Sequence, residues 1–209
     1  RQRQMCIRDS KVESDTKMET IPISPRRLVA ELNKVFGKNT VLCNENGHND
    51  IWSYIFPYYK VFDQWSTVPM GEQTCFGSGI AGAIGAKLAR PHMNVLCPTG
   101  DGAFQHYYKE LATASQYRLG VTWVIFNNFG FGRPGQFKVQ PDFVKVAEAN
   151  NCYGAKVEKP SEIRPALQNA LKANKEGTPA VVDAIIQHDP SWGMWGAWGR
   201  GFPTSHHTD

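Results

Sequence analysis

The sequence predicts an α/β domain of three layers, a mainly parallel sheet with helices on its faces, and three observations predict it. From Ile21 onward helical and extended patterns alternate, which argues for a parallel sheet covered by helices. The longest apolar stretches, such as Val121 to Phe126, read as buried strands and fall far short of the ~18 residues of a membrane-spanning helix. The chain has 209 residues, 41% of them hydrophobic and 20% charged, enough for a real core and unlike a disordered tail.

Ser24-Pro25 opens the first helix, the serine as capping residue and the proline at the first helical position, and Leu28, Val29, Leu32, Val35 and Phe36 form its apolar stripe. Gly37 stops it. Thr40 to Cys43 follows as a short strand, and Asn44-Glu45-Asn46-Gly47-His48 as a polar turn. The aromatic stretch from Ile51 to Trp65 has no clean periodicity and receives no element. Gly77 to Leu88 reads as a helix of small residues that lets a neighbouring backbone come close. Next come a strand at Asn94 to Pro98, a helix at Phe104 to Tyr117, a strand at Val121 to Phe126, a helix at Pro141 to Asn150 and a strand at Ala155 to Val157. A helix at Ser161 to Ala173, capped by Ser161 with Glu162 in its first turn, precedes the last strand at Ala180 to Ile186.

This organisation implies one domain at residues 21–187, between a non-native or disordered segment at 1–20 and a tail at 188–209. The run RQRQMCIRDS resembles a translated sequencing adapter and is set aside. The tail carries Trp192, Trp195 and Trp198 among glycines and reads as a lid or subunit contact, since large aromatics are favoured where surface is buried on association. His206 and His207 read as flexible tail rather than metal ligands.

Composition excludes several functions. The formal charge of +4 arises from 23 Lys plus Arg against 19 Asp plus Glu, and half of it lies in the first ten residues, so no basic face marks a nucleic-acid partner. No apolar span predicts a membrane. Five cysteines, odd in number and without a CxxC pair, suggest neither a disulfide framework nor a zinc site, and the expected compartment is the cytoplasm.

The chemistry concentrates where two strands end. The strand at Asn94 runs into Thr99-Gly100-Asp101-Gly102, and the strand after one crossover helix ends in Asn127-Asn128. In a right-handed strand-helix-strand unit both parallel strands finish on the same edge, so Asp101 and Asn128 converge. That edge offers a carboxylate, an amide oxygen and the carbonyls of the following turn, hard donors that suit Mg²⁺ completed by phosphate and water. Backbone N–H groups at Ala103 and Phe104 suit the phosphates, and Gly100 and Gly102 allow a sharp turn and close approach to a ligand. A metal-bridged diphosphate fits this donor set.

The segment GDGAFQHYYKELATASQYRLGVTWVIFNN resembles the diphosphate-binding motif of thiamine diphosphate enzymes, and the likeness runs from about Ile21 to Ile186. Within that family it is most similar to the C-terminal, cofactor-binding domain of the acetolactate synthase, benzoylformate decarboxylase and pyruvate decarboxylase group. GSGIAGAIGAKLARP is similar to the glycine-rich helix before GDG, and NENGHNDIW to the turn whose Gly47 and His48 face the cofactor. The resemblance implies Asp101, Asn128 and the Gly130 carbonyl as Mg²⁺ ligands. It implies diphosphate contacts at Gly100, Gly102, Ala103 and Phe104. It places the wedge that bends the cofactor at Phe76, where the group usually has Met, Leu or Ile, and the aminopyrimidine contacts at the Phe76 N–H and the Thr74 carbonyl. Only 13 residues separate Asn128 from Asp142, fewer than in acetolactate synthases, which leaves Phe129, Phe131, Arg133 and Gln136 to line the substrate side. The implied reaction is decarboxylation or carboligation of a 2-oxo acid. The glutamate that activates the cofactor belongs to a pyrimidine-binding domain, which implies a homo- or hetero-oligomer and an incomplete or separately encoded half.

Two other readings remain open here. Gly77-Ser78-Gly79-Ile80-Ala81-Gly82 fits the GxGxxG of an NAD(P)- or flavin-binding oxidoreductase, although Gly71 to Phe76 makes a poor preceding strand. A non-catalytic assembly subunit would keep the fold without the chemistry. Glu110 reads as a helix-face residue, and Cys75 as a small buried filler.

Overall fold

The computed structural model describes residues 13–47, 59–69, 75–131 and 135–188. Among them are helices α1 (Pro25–Phe36), α2 (Ser78–Ala89), α3 (Asp101–Tyr107), α4 (Glu110–Gln116), α5 (Phe143–Ala149) and α6 (Pro160–Lys175). The strands are β1 (Thr40–Cys43), β2 (Thr67–Val68), β3 (Asn94–Gly100), β4 (Val121–Asn127), β5 (Tyr153–Val157) and β6 (Ala180–Ile185). They form one sheet in the order β2-β1-β3-β4-β6-β5, with every pairing parallel, as the alternation of elements predicts.

A parallel sheet covered on both faces needs apolar side chains on both, and all seven residues of the central strand β4 are buried. Alternation divides them. Val124 and Phe126 pack with Leu28, Leu32 and Phe36 of α1 and Ile163 and Leu167 of α6. Val121, Trp123 and Ile125 face the opposite layer, with Ile80 of α2, Phe104 of α3, Leu111 of α4 and Phe143 of α5. Trp123 is wholly buried, and its indole N–H donates to the Ile80 carbonyl at 3.3 Å, so the bulkiest core side chain also ties α2 to the sheet.

The chain leaves β1 toward β2 on one side and then builds β3 and β4 on the other. The sheet order therefore reverses between β1 and β3, and a crevice opens at the carboxyl ends of these strands, where parallel α/β sheets bind ligands.

Several boundaries differ from expectation. β3 runs two residues further, to Gly100, and α3 starts at once with Asp101, so no loop separates strand from helix at this acid. The expected helix from Phe104 to Tyr117 is two short ones, α3 and α4, joined at Tyr108-Lys109. Ser24 stands at the α1 N-cap, but its buried hydroxyl finds no partner among the described residues, and Pro25 alone marks the start. Lys159, not Ser161, is the α6 N-cap. Glu162 accepts the Glu158 and Lys159 N–H groups at 2.9 and 3.1 Å, which satisfies two donors at the helix entrance. The short edge strand β2 lies just past the unassigned aromatic stretch, of which residues 51–58 fall outside the described residues, as does most of the tryptophan tail. Cys75 is exposed rather than buried.

One carboxylate joins α1 to α6. The Glu31 side chain is 1% exposed and accepts from Arg27 at 2.6 Å, Lys34 at 2.9 Å and Arg164 of α6 at 2.8 Å. Burial pushes its acidity down, but Arg164, Lys34 and Arg27 outweigh burial and hold its pKa at about 2. Because the folded pKa lies below the unfolded value of 4.5, the stabilisation is complete above pH 4.5 and disappears as the pH falls toward 2. Glu31→Gln is expected to lower stability at pH 7 by about 1–3 kcal/mol, through weakened charge-assisted hydrogen bonds, and to flatten the acid limb of a urea-unfolding pH profile between 4.5 and 2.

Candidate functional site

The edge of the sheet that carries the strand ends holds the predicted residues. Gly100 of β3 pairs with Phe126 of β4, so Asp101 and Asn127-Asn128 emerge from neighbouring positions. The Gly130 N–H donates to Asp101 Oδ2 at 2.9 Å, which draws the turn after β4 over the start of α3. The structure thus brings Asp101 and Gly130 into contact, with Asn128 on the turn that connects them.

Asp101 is 1% exposed, at the first residue of α3. Burial raises its pKa to about 6, against the opposing hydrogen bonds from Gln140, Gly130, Gly102 and its own backbone. Neither Arg nor Lys stands among these partners. Asp183 of β6, 5% exposed, is likewise raised to about 6, by burial against its Asn127 hydrogen bond and the charge of Lys156, with Asp101 and Asp142 adding to the rise. Asp101 thus has no basic partner at this end of the sheet, whereas Asp183 feels the charge of Lys156.

The remaining donors fit a divalent cation. The Asn128 carbonyl takes the Gly135 N–H at 3.1 Å and the Phe129 carbonyl takes the Phe137 N–H at 2.9 Å, whereas the Gly130 carbonyl receives no hydrogen bond among the described residues. The Asn128 side chain is also without one among them. Carboxylate, amide and carbonyl oxygens are the hard donors that Mg²⁺ accepts, with its remaining positions left to water and phosphate. No cluster of three His, Cys, Asp or Glu side chains suited to a metal occurs among the described residues, so a cation at this edge would depend on this mixed oxygen set.

Because α3 begins at Asp101, the N–H groups of Asp101, Gly102 and Ala103 lie outside its helical ladder, and those of Asp101 and Gly102 turn to the Asp101 carboxylate. Phe104 is the fourth helical residue, where the helical ladder begins to claim the N–H. Gly102 needs its missing side chain for a reason the motif does not reveal. A Cβ there would stand 2.4 Å from Cδ1 of Phe131, whose ring lies against the first turn of the helix. That ring stacks on His106 at 5.8 Å, lies 6.0 Å from Phe76 and meets Phe137 edge-on at 4.9 Å. Phe76, His106, Tyr107 and Lys109 line a cavity of about 330 Å³ alongside. Phe76, the expected wedge, is half exposed at this cavity. Gly47 ends the described turn after β1, while His48, Thr74 and Arg133 lie outside the described residues. Gln136 accepts the Phe131 N–H at 2.8 Å and thereby holds the aromatic turn.

Three polar residues here carry no motif signal. Gln140 and Asp183 join the network around Asp101 and Asn127, and Glu45 anchors the other side of the crevice. The wholly buried Glu45 carboxylate accepts from Gly77 N at 2.8 Å, Gly79 N at 2.9 Å and Ile80 N at 3.1 Å, and so occupies the N-terminus of α2. Gly79 must be glycine because a Cβ would stand 2.3 Å from the Asn44 carbonyl oxygen. This arrangement overturns the dinucleotide reading of GSGIAG. The helix end that a pyrophosphate would require is already filled by the protein's own carboxylate, and Cys75 to Gly77 do not form a strand. An acid that closes a loop onto a later helix through space could not be found from spacing along the chain.

The fold is that of a thiamine diphosphate-dependent enzyme domain. A Rhodococcus jostii thiamine diphosphate-dependent 4-hydroxybenzoylformate decarboxylase superposes with a TM-score of 0.69 at 25% identity, over 81% of this chain and 33% of that one. The chain belongs to the thiamine pyrophosphate enzyme family through the C-terminal TPP binding domain, which matches residues 45–184. It is 33% identical over 192 residues to a probable acetolactate synthase large subunit of Methanococcus aeolicus, over 83% of this chain and 31% of the relative. It is 30% identical over 193 residues to a putative thiamine pyrophosphate-containing protein of Bacillus subtilis, over 87% and 33% respectively. The chain therefore spans about a third of the length of these relatives.

Asp101 and Asp183 ionise later in the fold than in the unfolded chain, whose aspartates titrate near 3.8. Their contribution to the stability of the metal-free protein is therefore greatest below that pH and declines as the pH rises through about 6. Asp101→Asn keeps an oxygen for Gly130 and Gln140 and removes the buried charge. It is expected to raise the metal-free unfolding free energy at pH 7 by about 1–3 kcal/mol, read from urea melts in EDTA, with no gain at pH 4.

Proposed function

We propose that this chain is the cofactor-holding part of a Mg²⁺-dependent thiamine diphosphate enzyme that decarboxylates a 2-oxo acid or joins the resulting acyl carbanion equivalent to an acceptor. The observation that carries the proposal is the buried Asp101 carboxylate, bridged to Gly130 across two strand ends, with neither Arg nor Lys beside it. In this reading Asp101, Asn128 and the Gly130 carbonyl hold Mg²⁺. The start of α3, with Gly100, Gly102, Ala103 and Phe104, receives the diphosphate in this reading. Gly47, His48, Thr74 and Phe76 face the organic part of the cofactor, with Phe76 as the wedge.

When bound, thiamine diphosphate supplies a carbon nucleophile and an electron sink for loss of CO₂. This chain supplies position. Asp101 brings negative charge to a dry edge, so a cation there gains more from the contact than it would in water. Phe131, Phe137 and Phe76 present apolar rings on the same side and reduce water access to the space beside α3. Phe129, Phe131, Arg133 and Gln136 face the substrate in this reading.

We further propose that residues 21–187 act with a pyrimidine-binding domain on the same or a partner chain, which contributes the activating glutamate, and that the working form is an oligomer. The reading at 188–209 remains a tryptophan contact with that partner. The binding test is a titration of the full-length protein with thiamine diphosphate and Mg²⁺ and, separately, with NADH, followed by intrinsic fluorescence. Saturation by thiamine diphosphate that requires Mg²⁺ and is lost in Asp101→Ala is the expected result, with the far-ultraviolet circular dichroism unchanged. Silence with thiamine diphosphate and Mg²⁺ would overturn the reading and leave the assembly role.

A further inference from the structure

Gln140 lies outside every motif, yet it bridges two polar side chains at the strand ends. Its Nε2 donates to Asp101 Oδ2 at 2.8 Å, and its Oε1 accepts from Asn127 Nδ2 at 2.8 Å. Asn127 Nδ2 also donates to Asp183 Oδ1 at 2.9 Å, and Asn127 Oδ1 accepts the Phe129 N–H at 3.1 Å. Asp101 Oδ2 is shared by Gln140 and Gly130. A continuous set of side chains therefore runs from the middle of β6 to the start of α3.

The direction of these bonds matters. An Asp183 oxygen on β6 accepts from Asn127, which turns the amide nitrogen toward β6 and the amide oxygen toward Phe129. Phe129 is held there at φ 61°, a left-handed conformation that L residues other than Asn and Asp rarely adopt. This turn carries both Asn128 and Gly130. The same nitrogen gives its other hydrogen to Gln140, which leaves the Gln140 amide nitrogen facing Asp101. A primary amide suits this place because it accepts on one side and donates on the other.

We propose that Asp183, Asn127 and Gln140 form a positioning relay that orients the Asp101 carboxylate and the Asn128–Gly130 turn toward a divalent cation, with Gln140 as the member that sets metal affinity. This rests on the reading of Asp101, Asn128 and Gly130 as ligands given above. Residues that orient metal ligands typically change affinity 10- to 100-fold when replaced. Gln140→Met keeps nearly the same volume and removes both hydrogen bonds. It still leaves Gly130 on Asp101, and Asp183 and Phe129 on Asn127.

The test is Mn²⁺ binding to the full-length protein in the presence of thiamine diphosphate, with free Mn²⁺ counted by electron paramagnetic resonance, beside the thermal midpoint in EDTA. Gln140→Met is expected to weaken Mn²⁺ by about 10- to 100-fold, with a metal-free midpoint close to the wild type. Asp183→Leu, which breaks the relay on β6, is expected to weaken Mn²⁺ as well, while Asp183→Asn, which retains an acceptor oxygen, restores binding. A packing role alone would move the midpoint and leave the Mn²⁺ affinity in place. Wild-type affinity in folded Gln140→Met overturns the relay. If that variant does not fold, equal Mn²⁺ affinity in Asp183→Leu and Asp183→Asn overturns it instead. Absence of Mn²⁺ binding to the wild type overturns the ligand reading first, and this inference with it.

Discussion

A carboxylate buried at the junction of a strand and a helix, without a basic side chain among its partners, governs this site. Water would solvate Asp101 far better than the interior does, and its four hydrogen-bonding contributors only partly offset the loss. The chain tolerates the deficit because β3 feeds α3 with no intervening residue, which leaves the acid nowhere to turn. The rest of the edge is arranged around it. The turn after β4 folds back to reach it, Gln140 extends to it from beyond that turn, and α3 presents backbone donors beside it.

The parallel sheet makes this economy of elements possible. Every strand ends on the same edge, so residues far apart in sequence meet without a dedicated scaffold: Asp101 directly after β3, Asn127 at the end of β4 and Asp183 in β6. The register supports this closely, since Gly100 faces Phe126 and Phe126 faces Ala184. The two apolar layers hold that register from both sides, because a one-residue slip of β4 would send Trp123 and Val124 into each other's layer. Precision at the polar edge is therefore inherited from packing in the middle.

The sheet, its parallel sense and the juxtaposition of Asp101 with the turn after Asn128 were legible because each has a local mark in the sequence: an apolar run, a helical stripe, a glycine pair around an acid. The helix starts were less legible. GDG favours a turn, yet Asp101 is the first residue of α3. Ser161 was read as a cap when Pro160 had already begun the helix. Gln140, Asp183 and Glu45 could not be found at all, because their meaning lies in partners tens of residues away. Gly102 was read as room for a ligand, whereas the atoms nearest to an added Cβ belong to Phe131. The close contact was anticipated and its partner was not.

Glu45 gives the crevice a selectivity that depends on occupancy rather than shape. Two helix N-termini, those of α2 and α3, open from the loops at the sheet's carboxyl edge, and each could in principle attract an anion. One already has a tenant tethered by its own backbone. A diffusing phosphate would have to displace a group that its own backbone holds in place. The fold thus closes the entrance of α2 with a group of its own chain.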